Sequence, residues 1–386
     1  MNAENYLVSV IHGRRGPAAA VLRAALSAPA LAYAAGLELY LALYRVGIKN
    51  RLRLPCPVVS IGNLCSGGVG KTPTTIALCG RLVERGLRPA VLSRGYRGKL
   101  ERSCGVVSDG ARLLLTPASA GDEPFLLAES LPGVPVLVGK DRRRTGALAW
   151  ERFQPDVILL DDGMQYWQLH RDLDIVLLNA ENPLDNGWVL PRGLLREPPF
   201  HLGRAGAIVL TNTRAMNRSA LQSTQVGIQR LAPKAPLFLA DYRATGLTGI
   251  GAASHKPVGW LAGKRVALVS GIGNPTSFER MITEQGAQIA FRAHFPDHHR
   301  MPGAELEQAV VSGATSGAEM VICTAKDAVK LKAVDYSLPV YCLDVAMEVT
   351  GAESLLGMVE ALISKRSTPN LELPCLTEVH RAGGGR

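Results

Sequence analysis

The run Gly67-Gly68-Val69-Gly70-Lys71-Thr72 constrains the fold of this chain more than any other feature, because of what flanks it. Before it, Pro57-Val58-Val59-Ser60-Ile61-Gly62 is apolar and carries β-branched residues, as a buried parallel strand requires. After it, Pro73 suits the first turn of a helix, and Ile76, Cys79, Leu82 and Val83 recur at helical spacing until Gly86. A strand, a glycine turn and a helix in that order form a phosphate cradle. Backbone N–H groups curl around the anion and the helix N-terminus adds positive potential, while Lys71 reaches the outer phosphate oxygens and the Thr72 hydroxyl can ligate Mg²⁺. The expected nucleotide contacts are therefore Gly67, Gly68, Val69, Gly70, Lys71 and Thr72. The full motif would open with glycine at position 65, where this chain has Cys65.

A Mg²⁺ ion held only by Thr72 and phosphate lacks a protein carboxylate. The string Asp156-Val157-Ile158-Leu159-Leu160-Asp161-Asp162 supplies one: its apolar centre reads as a buried strand with two acids emerging at the carboxyl end. Asp161 and Asp162 are the expected metal ligands beside Thr72, with Glu123 a further one.

At 386 residues and 47% hydrophobic, the chain can bury a full core and hold two globular domains with extensions. A formal charge of +10 fits an anionic partner: a nucleotide, a nucleic acid or a phospholipid surface. Aromatic residues make up only 5%, and nowhere do they alternate with Lys or Arg as a strand-binding groove needs, so nucleic acid is set aside. The seven cysteines are odd in number, scattered and never in a C-x-x-C pair, which fits a reducing compartment rather than a disulfide or zinc framework.

From Ala18 to Tyr44 the chain is rich in Ala, Leu and Tyr, with Arg14 and Arg15 before it and Arg45, Lys49, Arg51 and Arg53 after. The uncharged stretch Ala24 to Leu37 is shorter than the ~20 residues of a spanning helix. A helix lying in the membrane interface, its basic flanks on anionic headgroups, fits better than a cleaved signal peptide, which would export a nucleotide site away from ATP. A helical hairpin packed on the core is the alternative.

Strand-like runs recur at Val134–Val138, Asp174–Leu178 and Ala207–Leu210, then, past a polar region, at Arg265–Ser270, Gly286–Phe291, Met320–Thr324 and Pro339–Leu343. The expected fold is α/β: a P-loop NTPase-like doubly wound sheet over residues 51–215, a second, smaller α/β domain over 216–370, a membrane-associated helical segment in 1–50 and a tail in 371–386. Gly271-Ile272-Gly273-Asn274-Pro275 lacks the third glycine of a dinucleotide fingerprint.

Several strings also stand in a telling order: Ser60-Ile61-Gly62-Asn63-Leu64, Leu92-Ser93-Arg94-Gly95-Tyr96-Arg97-Gly98, Gly121-Asp122-Glu123-Pro124, Leu160-Asp161-Asp162-Gly163-Met164-Gln165, Leu194-Leu195-Arg196-Glu197-Pro198, Phe295-Pro296-Asp297-His298-His299 and Thr324-Ala325-Lys326-Asp327. Together they resemble the tetraacyldisaccharide 4′-kinases, which phosphorylate a lipid disaccharide in lipid A synthesis at the inner membrane. The resemblance implies ATP and Mg²⁺ as co-reactants, a glycolipid acceptor and monotopic attachment at the cytoplasmic face through the N-terminal helix; no obligate protein partner is inferred. It implies Asp122 as the catalytic base, with Lys71 beside the transferred group. The base has a histidine partner in Phe295–His299, where motif position favours His298 over His299. Asn63, Arg94, Tyr96, Arg97, Gln165, Arg196 and Glu197 are expected around the substrate. Where the family carries D-D-G-F-Q-H, this chain has Met164 and Tyr166.

The rival reading is a membrane-associated switch ATPase of the partitioning or metallochaperone kind. Those ATPases place lysine just before the Gly-Gly pair, where this chain has Ser66.

Overall fold

The structure, a computed structural model, describes residues 9–11, 13, 16–251, 254–296, 303–331 and 336–366. Its strands are β1 (Val58–Gly62), β2 (Pro89–Ser93), β3 (Gly105–Asp109), β4 (Pro135–Val138), β5 (Val157–Asp161), β6 (Leu173–Asn179), β7 (Ala207–Thr211), β8 (Leu237–Gly249), β9 (His255–Pro257), β10 (Arg265–Ser270), β11 (Gln288–His294), β12 (Met320–Thr324) and β13 (Val340–Thr350). They form one hydrogen-bonded sheet in the order β11-β10-β12-β13-β8-β7-β6-β1-β5-β2-β4-β3, with β9 paired to β8.

From β4 through β2, β5, β1, β6 and β7 to β8 the pairing is parallel, and β3 closes that edge antiparallel. Strands β11, β10, β12 and β13 form a second parallel set. In both sets helices cover the faces, which is why β1, β2, β5 and β7 are buried along their whole length and read as continuous apolar runs. β1 lies between β5 and β6, whereas the chain next continues to β2 on the far side of β5. The order reverses at β1, and the crevice at its carboxyl end is where an open α/β sheet takes its ligand.

The two sets meet in an antiparallel ladder. Leu237–Ala240 of β8 pairs with β7, while Leu239 through Gly249 pairs with β13 from Thr350 back to Tyr341. The sequence reading contained no strand at Leu237–Gly249. Its burial alternates only in part, because one end is shared between two neighbours and the other is an edge covered by β9.

At the N-terminus one helix runs from Pro17 to Arg45, 29 residues with Pro29 inside it. At ~1.5 Å per residue it is about 43 Å long. Only Ala19, Ala30 and Leu41 are buried. They keep the ~11-residue, three-turn spacing that holds a single line along a helix. Ala30 joins the core formed by Leu64, Met164 and Leu178, while Val21, Leu31 and Leu39 are 60–70% exposed. Among the described residues it is the one helix long and apolar enough to cross a membrane.

Candidate active site

The helix Lys71–Glu84 starts directly from the glycine loop, its N-cap Gly70 left-handed at φ 89°. A Cβ at Gly70 would meet Met347 Cε at 2.7 Å and Tyr242 Oη at 2.9 Å. Only glycine fits, and the contact brings the β8/β13 ladder against the phosphate loop. On another side the Thr211 hydroxyl, at the end of β7, donates to the Val69 carbonyl at 3.1 Å. Lys71 Nζ is 3.4 Å from Asn63 Oδ1 and 3.8 Å from Asp162 Oδ1. Asn63 is fully buried, so it aims Lys71 from beneath.

β5 delivers Asp161 at its last position, and Asp162 follows in the left-handed region at φ 55°. Such a non-glycine conformation costs about 1–3 kcal/mol. It is held by Arg196, whose Nη1 donates to both Asp162 oxygens at 2.9 and 3.0 Å. Thr72 and Thr75 hydroxyls each donate to Asp161 at 3.4 Å. Burial first, then the charges of Glu123 and Asp162, push the Asp161 carboxyl up to about 7. Burial also acts on Asp162, but Lys71 and Arg196 outweigh it and hold that carboxyl below its ordinary value. A bound cation at this pair reverses the pressure on Asp161.

Arg196 arrives on a strap paired to the residues just after β1. Ser66 N donates to Leu194 O and Arg196 N to Leu64 O, both at 2.7 Å. Gln165 Nε2 donates to Asn63 O and to Glu197 Oε1, both at 2.9 Å. Glu197, expected at the substrate, is instead fully buried. It accepts from Arg204 at 2.7 and 2.8 Å and lies 2.6 Å from His201 Nδ1. Its carboxylate is spent inside the protein, where it anchors the strap rather than facing the cleft.

Asp122 opens the helix Asp122–Ser130, whose N-cap is Gly121, with no side-chain capping bond. The Asp122 carboxylate is therefore not spent as the helix cap. Asp122 Oδ2 is 3.9 Å from Lys330 Nζ, and Glu123 Oε1 is 3.1 Å from Lys326 Nζ. Lys330 also pairs at 3.2 Å with Asp327, which is fully buried and accepts from Gly271 N and the Thr324 hydroxyl. The segment after β12 thus reaches across to the Asp122 turn, a contact the sequence motif Thr324–Asp327 did not disclose.

Arg94, Tyr96 and Arg97 lie on the loop after β2. Both guanidinium groups flank the Tyr96 ring, at 5.8 and 5.4 Å, and Glu101 accepts from Arg94 Nε at 2.8 Å and from the Arg97 backbone N–H. A Cβ at Gly121 would meet Tyr96 O at 3.1 Å, so this loop packs directly on the Asp122 turn. His298 and His299 lie outside the described residues.

One charged residue was missed by the sequence reading. Arg142 is buried, and its Nε has no hydrogen-bond partner among the described residues. Burial lowers its basicity, offset by the nearby carboxylates, Asp162 first. The available signal was Asp141-Arg142-Arg143-Arg144 at a helix N-terminus, where positive charge is disfavoured unless an anion compensates. Tyr166, in place of the family's histidine, donates to Asp141 at 2.8 Å, and Arg142 stacks on its ring at 5.4 Å.

Among the described residues no group of three or more His, Cys, Asp or Glu is arranged around a metal. The oxygen set of Thr72, Asp161 and Asp162 suits Mg²⁺, which binds through one or two carboxylates plus substrate phosphates. Its hydroxyl–carboxylate contact at 3.4 Å fits that role.

The family model described as tetraacyldisaccharide-1-P 4′-kinase matches residues 22–364. A tetraacyldisaccharide 4′-kinase of Syntrophus aciditrophicus is 38% identical over 341 residues, covering 84% of this chain and 91% of that protein. One from Anaeromyxobacter dehalogenans strain 2CP-C is 42% identical over 318 residues, covering 82% and 84%. The crystal structure of LpxK from Aquifex aeolicus in complex with ATP superposes with a TM-score of 0.69 at 30% identity, over 89% of this chain and 99% of that one. This chain belongs to the tetraacyldisaccharide 4′-kinase family, the lipid A kinases.

Proposed function

We propose that this kinase transfers the γ-phosphate of ATP to the 4′-hydroxyl of a tetraacyldisaccharide 1-phosphate at the cytoplasmic face of the inner membrane. The observation that carries this reading is the Asp122 carboxylate, uncapped at a helix start whose next residue, Glu123, is near enough to Asp161 to raise its carboxyl, while Lys71 and Arg196 converge on Asp162. In this reading residues 51–215 form the nucleotide-holding domain and 216–370 the second one, a division supported by the contacts of the β8/β13 ladder and the Lys326–Lys330 turn with the phosphate loop and the Asp122 turn.

In this reading the loop amides and Lys71 hold the phosphates in place, and Arg196 and Arg142 meet the charge that spreads over the transferred group. Asp122 takes the proton of the acceptor hydroxyl as its oxygen bonds to the γ-phosphorus. The bond to the bridging oxygen breaks and ADP leaves. Thr72, Asp161 and Asp162, with Glu123 nearby, would hold Mg²⁺, which would supply charge neutralisation at the phosphates. Arg94, Tyr96 and Arg97 lie on the acceptor side, with His298 the assigned partner of Asp122.

The direct test incubates detergent-solubilised protein with γ-labelled ATP, Mg²⁺ and the lipid disaccharide monophosphate. Label is expected in the lipid. Label found only as free phosphate overturns the kinase reading in favour of a switch ATPase.

The apolar helix Pro17–Arg45 is assigned as the membrane attachment. Leu31→Glu with Leu39→Glu is expected to move the protein into the soluble fraction with little change in thermal stability, because both side chains are exposed. Persistent membrane sedimentation of a folded variant sinks that assignment.

A further inference from the structure

Where the apolar helix ends, the protein forms a half-open cavity of about 220 Å³ lined by Leu41, Arg45, Arg51, Trp167, Phe200, His201 and Arg204. It is basic and aromatic. Three guanidinium groups surround the Trp167 ring: Arg204 at 4.5 Å, Arg171 at 5.2 Å and Arg51 at 5.5 Å.

The acids nearby are already shared. Glu38 serves both Arg45 and His201, Glu197 both His201 and Arg204, and Asp174 both Arg171 and Arg204. Arg51 has no carboxylate within ion-pair distance among the described residues; its contacts are the rings of Tyr44 and Trp167. Arg51 is exposed at the rim; partial desolvation, then the Arg171 charge, lowers its basicity against the opposing pull of Asp174. Arg204 Nε is buried without a hydrogen-bond partner among the described residues, its nearest carboxylate oxygen being Asp174 Oδ2 at 3.9 Å. A positive cavity with an unmatched guanidinium at its mouth is completed by an anion.

The walls say which kind. Leu41 belongs to the apolar helix, and Phe200 is 61% exposed at the rim. An anion that arrives with hydrocarbon attached satisfies both halves of the lining. Arg45 closes the last turn of the helix, the level at which a helix embedded by its exposed apolar face meets lipid phosphates.

We propose that this cavity binds the phosphate of an anionic membrane lipid, with Arg51 as its principal contact. The phosphate has two sources. One is the headgroup of a neighbouring phospholipid. The other is the phosphate that the acceptor already carries, which rests on the kinase reading above.

Arg51→Gln, Arg51→Lys and Arg53→Gln separate them. Arg53 is an exposed neighbour outside the cavity lining. Two readouts are taken: association with phosphatidylcholine vesicles with and without phosphatidylglycerol, and acceptor KM in neutral detergent micelles free of phospholipid. Arg51→Gln is expected to lose about tenfold in one of them. The loss falls in the phosphatidylglycerol-dependent association if the source is the headgroup. It falls in KM, with kcat and the KM for ATP retained, if the source is the acceptor. Arg51→Lys restores most of the effect, and Arg53→Gln, which removes only a flanking surface charge, costs the association several-fold less than Arg51→Gln and leaves the acceptor KM unchanged. The proposal is overturned if neither readout moves, if only kcat falls, or if Arg53→Gln matches Arg51→Gln. Should the wild-type protein transfer no phosphate to the disaccharide, the kinase reading fails on its own, and the vesicle arm still decides the cavity.

Discussion

Asp122→Asn is expected to bind ATP with unchanged affinity and to transfer phosphate about 10²–10⁴-fold more slowly, the range that removal of a general base produces. Asparagine keeps the shape of the side chain, and the native carboxylate caps nothing, so the helix Asp122–Ser130 loses no capping bond. The Lys330 contact at 3.9 Å is a long one, and its loss changes stability little. Nucleotide binding by calorimetry and single-turnover transfer separate the two effects. Turnover within a few-fold of wild type removes Asp122 as the base, and lost ATP binding reassigns it to the nucleotide.

The second large effect is on stability. Glu197→Ala takes the nearest carboxylate from Arg204 and His201, leaving them only Asp174 at 3.9 Å and Glu38, and breaking such a buried pair costs about 3–5 kcal/mol. Denaturant titration reads that loss directly. Gln165 loses an acceptor as well, and the Arg196 strap loses its anchor, so activity falls along with stability.

The pH dependence carries the same signature. Burial raises the Glu197 carboxyl, but His201 and then Arg204 outweigh it and hold it below its ordinary value. The unfolded chain therefore takes up the proton first as acidity increases. Glu197's contribution is fully present above the unfolded value of about 4.3 and is lost as pH falls through the lower folded value. Glu197→Ala should flatten the stability profile in that acid window. A variant as stable as wild type, with the same acid profile, refutes the anchoring role.

What sequence alone determined here is local and periodic. Strand, glycine loop and helix around Lys71 were legible because each is specified by neighbours in the chain, and β5 because four apolar residues ahead of two acids have one sensible burial. The order of motifs was enough to place the family. The described helix Pro17–Arg45 runs through Pro29 and past Arg23 and Glu38, beyond the uncharged stretch that charge counting marks out.

Other features were decided only by tertiary structure, because they depend on partners distant in sequence. β8 is a strand because β7 and β13 complete its ladder, not because of its own pattern. Glu197 reads as one more acid in a motif until Arg204 and His201 surround it and make it an internal anchor. Arg142 reads as a surface helix arginine until burial leaves its Nε without a hydrogen-bond partner among the described residues. The unmatched charge of Arg51 has no sequence signature at all: it is a difference between four arginines and three acids brought together from separate segments of the chain. Periodicity reports which side of an element is covered. It does not report what covers it, and the balance of buried charge is set by that second fact.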